Sequence, residues 1–132
     1  MIGVFDSSAV VRLFIPDGPI PEGMEQFLKG VEIGDNIALA PQLMLAEIAN
    51  VLHKKTLRDE ISDDEGDQIL ILIQRLPIRL FSHKELVEGA VQLARDHAIT
   101  VYDALFLELA RQQNGKLFTA DLKLEKAGLD FL

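Results

Sequence analysis

The sequence contains no cysteine, which excludes disulfide frameworks, thiolate zinc sites, iron–sulfur ligation and cysteine nucleophiles, and which fits a reducing compartment. Basic residues are scarce: 13 Lys and Arg stand against 21 Asp and Glu, a formal charge of −8. That balance disfavours a protein that grips nucleic acid by bulk positive charge, since such affinity comes from Lys and Arg neutralising phosphates. A polyanionic substrate bridged by metal remains compatible with it. No uninterrupted apolar run approaches the ~18 residues of a membrane span. The N-terminus, Met1 to Asp6, shows no basic region followed by an apolar stretch. The expectation is a cytoplasmic protein with no membrane partner. Glycine-rich phosphate loops are also missing, because the spacing Gly18 to Gly23 lacks the following Lys-Ser/Thr and lies in a proline-rich stretch. His53, His83 and His97 show no helix pairing and read as surface or capping residues rather than metal ligands.

What is present is a chain of 132 residues with 48% apolar content, read as one domain over residues 1–132. Such a chain buries roughly two-thirds of its unfolded surface, enough for a core without staples. Ile2 to Phe5 is apolar on consecutive positions, as in a parallel strand covered on both faces. Ala9 to Ile15 reads as a helix stopped by the Pro16–Pro21 loop, and Glu22 to Val31 as a second. Ile37 to Ala40 is the second strand. Pro41 is expected to open a long helix carrying Leu43, Ile48, Val51 and Leu52 to the core and fraying near Lys54 to Arg58.

Ser62 with Glu65 makes a capping box before a helix whose Ile69, Leu70, Leu72, Ile73 and Leu76 are expected to be heavily buried. Pro77 ends it and Ile78 to Phe81 is a strand. Ser82 with Glu85 suggests a second box, stapled by Phe81 and Leu86, for a helix to about His97. Thr100 with Asp103 opens a helix that should end at a left-handed Gly115. Lys116 to Thr119 is the next strand, Leu122 to Ala127 a short helix, and Leu129 to Leu132 a possible last edge strand. Strands alternating with helices mean an α/β class with a central parallel sheet.

In open parallel sheets, sites form beyond the carboxyl ends of strands, near the point where strand order reverses. Asp6 closes the first strand, Asp121 follows the strand Lys116 to Thr119, and Asp103 lies in the first turn of the helix leading to that strand. Each has a structural explanation: an Asx turn for Asp6, a helix-dipole role for Asp103, an N-cap for Asp121. Glu47 is harder to explain structurally, since its i−4 and i+4 neighbours are Leu43 and Val51. A buried acid needs a cation or strong hydrogen bonds. Four such acids at one end of a sheet would repel and raise each other's pKa unless a cation sat among them. Hard oxygen ligation of Mg2+ or Mn2+, one or two ions, follows as the expectation. Such an ion lowers the pKa of bound water and stabilises a leaving oxygen at phosphorus. Lys54, Lys55, Arg58 and Arg12 are basic residues able to touch a nucleic-acid backbone nearby.

Four segments, Val4 to Ala9, Ala46 to Leu52, Thr100 to Leu105 and Thr119-Ala120-Asp121, resemble in order and spacing the PIN-domain ribonucleases, in particular the VapC toxins of toxin–antitoxin pairs. The resemblance runs nearly the full length. It implies Asp6, Glu47, Asp103 and Asp121 as metal-binding acids, with Asp6 and Asp103 the most direct ligands. Thr119 would orient the carboxylates by hydrogen bonding, with Ser8 in a supporting role. It further implies a three-layer α/β/α, flavodoxin-like fold and Mg2+- or Mn2+-dependent endoribonuclease activity. Also implied are a homodimer, an RNA substrate, and an antitoxin partner that blocks the site and joins the toxin on operator DNA.

Other classes fit less well. A phosphoacceptor receiver domain needs an acidic doublet after the first strand, where Ser7 follows Asp6, and a haloacid-dehalogenase-type phosphatase needs Asp-x-Asp, where position 8 is Ser. A non-catalytic binding module on the same fold is opposed by the four intact acids. A housekeeping RNA-processing nuclease differs in lacking a neighbouring antitoxin reading frame.

Overall fold

A computed structural model describes residues 1–129. Strands β1 (Ile2–Phe5), β2 (Ile37–Pro41), β3 (Ile78–Phe81) and β4 (Lys116–Phe118) pair in parallel in the order β3-β2-β1-β4. Around them run α1 (Ser7–Arg12), α2 (Met24–Glu32), α3 (Leu43–Leu57), α4 (Asp63–Gln74), α5 (Val87–His97), α6 (Val101–Gln113) and α7 (Leu122–Leu129). The first two crossovers step from β1 toward β3, and the third returns past β1 to β4. Right-handed crossovers therefore put helices on both faces, giving three layers. The doubly wound plan is that of flavodoxin, with the reversal falling between β1 and β4. Of the expected edge strand over Leu129 to Leu132, Leu129 ends α7 and the rest lies outside the described residues.

The consecutive apolar positions of β1 and β2 are buried, as a sheet covered on both faces requires. Phe5 stacks on Phe118 of the neighbouring strand at 4.9 Å between ring centres, and Phe27 of α2 tilts against both. This cluster accounts for Gly3: a Cβ there would lie 2.7 Å from Phe27 Cζ and 3.0 Å from Phe118 Cε2. On α6, every residue from Ala104 to Ala110 is buried, and the helix packs across β1, β2 and β4.

Several boundaries depart from expectation for local reasons. Helix α1 spans Ser7–Arg12 rather than Ala9 to Ile15, because Asp6 caps it: Ala9 N–H donates to Asp6 Oδ1 at 2.9 Å. Pro41 completes β2 instead of opening α3, and the Gln42 N–H donates to the Phe81 carbonyl, prolonging the strand pairing by one bond. Helix α3 ends within the expected stretch Lys54 to Arg58, at Leu57, where the Arg58 N–H closes on the Lys54 and Thr56 carbonyls. Its buried stripe is Met44, Ile48 and Leu52; Leu43 and Val51 flank it, only half-buried.

The Ser62–Glu65 capping box forms in both directions. Yet α4 buries only Ile73 among its large apolar residues, leaving Ile71 and Leu72 nearly half exposed, since it rests chiefly on α3 and not on the sheet. The second box does not form. Ser82 Oγ accepts from Lys84 N–H, and Glu85 is taken into a 3-10 turn over His83–Glu85 that precedes α5. Asn114, with φ 51°, is the left-handed residue ending α6. Gly115 serves the close approach of β1, where a Cβ would stand 3.1 Å from the Ile2 carbonyl oxygen.

One buried charge has no forewarning in the sequence. Glu108 of α6 is 1% exposed, and Arg111 and Gln112 donate to both its oxygens at 2.6–2.7 Å. Burial pushes its carboxyl up, but those hydrogen bonds outweigh it and hold the group below its usual range. Gly89 of α5 leaves the space for it.

Candidate active site

The cleft lies at the carboxyl ends of β1 and β4, where the strand order reverses. It encloses about 340 Å³ and is lined by Asp6, Ser8, Glu47, Asp103 and Asp121, together with Ser7, Arg12, Asp17, Val51 and Phe106. All four expected acids thus reach one cavity from β1, α3, α6 and the loop after β4. Thr119 sits behind them, 8% exposed.

Asp6 is the most constrained. Its Oδ2 accepts from Thr119 Oγ1 at 2.6 Å, and its Oδ1 accepts from Ser8 Oγ at 2.8 Å as well as from Ala9 N–H. Thr119 Oγ1 in turn accepts the Asp121 N–H at 3.0 Å, and Ser8 Oγ accepts the Ala120 N–H at 3.0 Å. These bonds tie the end of β1 to the turn after β4, so a single hydroxyl network fixes Asp6 and the backbone carrying Asp121. Burial lifts the Asp6 carboxyl to about 6 against those bonds, and the charge of Asp121 adds to the rise.

The other acids extend the same tension. Glu47 is raised by burial, with Asp103 adding and the Ser7 hydroxyl opposing; Ser7 Oγ donates to Glu47 Oε1 at 2.7 Å. Asp103 is raised by burial and then by Asp121. Repulsion therefore runs from Glu47 to Asp103 to Asp121 to Asp6. Helix geometry explains Glu47: it stands beside the buried stripe of α3 rather than within it, one turn before cleft-lining Val51. The structural roles of the aspartates coexist with this placement. Thr100 Oγ1 accepts the Asp103 N–H at 3.1 Å, and Asp121 Oδ1 caps α7 through the Lys123 and Leu124 N–H groups.

Two cleft features, Ser7 and Asp17, had no clear sequence signal, while Arg12 is where the sequence placed a basic residue. Ser7, buried at the first position of α1, holds Glu47 across 40 positions of sequence; only the pairing of Ser7 and Ser8 after a strand-end acid hinted at it. Asp17 brings a fifth carboxylate, already bound to Lys55 Nζ at 2.6 Å. Arg12 lines the cleft, while Lys54 and Arg58 are absent from its lining. His83 acts as a cap, its Nε2 accepting the Leu43 N–H at 2.9 Å.

Among the described residues, no three carboxylates or imidazoles stand close enough to enclose an ion by themselves. The donor set nonetheless fits Mg2+ or Mn2+: it offers carboxylate and hydroxyl oxygens and neither sulfur nor imidazole. Mg2+ keeps several waters and is commonly gripped through one or two carboxylates, so bridging water suits an open ring of this kind.

The PIN domain family profile matches residues 3–129. The chain is 32% identical over 123 residues to "Ribonuclease VapC3" of Pyrobaculum aerophilum, spanning 92% of this chain and 90% of that protein. It is 32% identical over 125 residues to "Ribonuclease VapC1" of Mycobacterium tuberculosis, spanning 94% and 89%. Among solved structures, PAE2754 of P. aerophilum superposes with a TM-score of 0.74 at 18% identity, covering 96% of this chain and 79% of that one. M. tuberculosis VapC20, described as a sarcin–ricin loop cleaving toxin, gives 0.66 at 15% identity, covering 97% and 95%. The structural likeness is one of fold; the profile match and the one-third identity along nearly the whole length go further. With the segments around Asp6, Glu47, Asp103 and Asp121 meeting in one cleft, they establish that this chain belongs to the PIN domain family.

Proposed function

We propose that the protein is a metal-dependent endoribonuclease acting as the toxin of a type II toxin–antitoxin pair. The observation that carries this reading is the convergence of Asp6, Glu47, Asp103 and Asp121 on one cleft, in a chain whose curated relatives are named VapC ribonucleases. Asp6, Glu47, Asp103 and Asp121 would hold Mg2+ or Mn2+, which would supply a more acidic water and stabilise charge on the phosphate and leaving oxygens. Thr119 and Ser8 hold the Asp6 carboxylate in one orientation and oppose the rise that burial gives it, by donating to both its oxygens. Ser7 does the same for Glu47. The half-buried acids are the groups able to take the proton released by the attacking water. Attack at phosphorus forms the new P–O bond as the P–O bond to the leaving ribose oxygen breaks, and that oxygen takes up a proton from solvent water.

The partner is an antitoxin protein whose segment covers the cleft and which carries the complex to operator DNA; the active form is a homodimer. Cleavage of a structured RNA pool in Mg2+, Mn2+ or EDTA, beside Asp6→Asn and Asp103→Asn, tests the chemistry. Cutting that needs metal and disappears in both variants is expected. Undiminished cutting by both would remove the site assignment, and no cutting by wild type under conditions where Mg2+ binds would favour a binding module.

A further inference from the structure

We propose that Arg12 is the phosphate-binding residue that seats the RNA backbone at the mouth of the acidic cleft. The inference rests on the ribonuclease reading above. Among the described residues the cleft lining carries five carboxylates, Asp6, Asp17, Glu47, Asp103 and Asp121, and one cationic side chain, Arg12; Lys123 is near enough for its charge to act on Asp103 but stands outside the lining. A polyanion approaching that wall meets repulsion that bound metal offsets only at the reacting phosphate. A neighbouring phosphate needs its own counter-charge, and Arg12 is the group placed to supply it.

Its surroundings leave it available. Among the described residues the guanidinium has one acceptor, the Pro19 carbonyl, which Nη1 reaches at 3.2 Å. Asp17, next along the same loop, does not engage it but pairs with Lys55, whose ammonium is also held by Glu60 at 3.1 Å. Lys55 is thus occupied, whereas Arg12 retains most of its five donors in the planar fork that matches phosphate.

The position is also prepared. Arg12 is the last residue of α1, the helix that Asp6 caps, so the acid and the cation are set by the same short element. The guanidinium lies over Gly18, where a Cβ would run into it, and beside a loop stiffened by Pro16, Pro19 and Pro21. Arg12 further lines a second groove of about 630 Å³, between Pro19–Pro21 on one side and β4 with α7 on the other. It is the side chain common to cleft and groove that carries positive charge. A strand leaving the cleft by that route passes Arg12.

The test is retention of the radiolabelled RNA pool by the full chain across a range of KCl, together with single-turnover cleavage in Mg2+, for wild type, Arg12→Gln, Arg12→Lys and Gly18→Ala. Arg12→Gln is expected to raise the half-saturating protein concentration about tenfold, the loss of a charge-assisted contact, with a smaller change in maximal rate. The slope of log affinity against log salt should fall by about 0.7, one single-strand phosphate contact. Arg12→Lys should restore the slope and only part of the affinity, since an ammonium lacks the fork. Gly18→Ala should weaken binding with the charge intact, by displacing the guanidinium. A merely structural Arg12, fastening Pro19, would change the melting temperature and leave the salt slope alone. Wild-type slope and half-saturation in Arg12→Gln, while Asp6→Asn is inactive, would overturn this inference and leave the ribonuclease reading standing. A wild type that neither retains nor cuts RNA would overturn both.

Discussion

Replacing Asp6 by Asn should make the metal-free protein more stable at neutral and alkaline pH, although it removes a site residue. Asp6 is 5% exposed and titrates at about 6 in the folded chain, against 3.8 for an ordinary aspartate. Between those values the folded state holds a proton that the unfolded state has lost, so stability falls as pH rises from about 4 to 6 and stays reduced above. The difference of about two pK units corresponds to about 3 kcal/mol at most. Asparagine avoids that ionisation and keeps much of the geometry. Its carbonyl oxygen can accept from Ala9 N–H and Ser8 Oγ as Oδ1 does, and Thr119 Oγ1 can turn to accept from its amide. Losing the charge-assisted part of those bonds leaves a net gain of about 1–2 kcal/mol, or roughly 4–8 °C in melting temperature for a chain of this size. Thermal melts in EDTA at pH 4.5 and pH 8 read it directly. The variant should melt above wild type at pH 8 and converge with it toward pH 4.5. Adding Mg2+ at pH 8 should stabilise wild type far more than the variant. A variant that melts below wild type by the same margin at both pH values would refute the argument that the cleft holds uncompensated charge.

Two further outcomes follow from the same geometry. Mg2+ affinity should weaken as pH falls through about 6, because burial raises Asp6, Glu47 and Asp103 and protons then compete for the ligand oxygens. Calorimetry in two buffers of different ionisation enthalpy would report the proton release, and an affinity constant from pH 5 to 8 would contradict it. Ser7→Ala should cost about 1 kcal/mol of stability and lower Mg2+ affinity, since Glu47 loses the 2.7 Å hydrogen bond that opposes its raised pKa. Unchanged Mg2+ binding in a folded Ser7→Ala protein would show that Glu47 needs no such support.

Much of the fold was legible because its signals are local. Consecutive apolar residues in β1 and β2, the Ser62–Glu65 box and the Thr100 cap each act within a few residues, and each stands where it was expected. Errors arose where a local pattern competed with a neighbour in space. Pro41 was drawn into β2 by pairing with β3, and Gly115 gave the end of α6 to Asn114 because Ile2 lies against it. Leu72 looked like a core residue by periodicity, but α4 rests chiefly on α3 and leaves it nearly half exposed.

The site divides in the same way. By itself the sequence singled out the candidate acids: Asp6 and Asp121 follow strands of one parallel sheet, Asp103 stands in a first helical turn, and Glu47 stands among apolar neighbours. Only the tertiary structure decided what holds those acids and how they act on one another. The Ser7–Glu47 and Thr119–Asp6 bonds join residues 40 and 113 positions apart, and the raised carboxyl pKa values come from burial that many elements create together. The physical reason is range: backbone propensity and capping are fixed by nearest neighbours along the chain, whereas desolvation and charge coupling depend on whatever folding brings within a few ångströms.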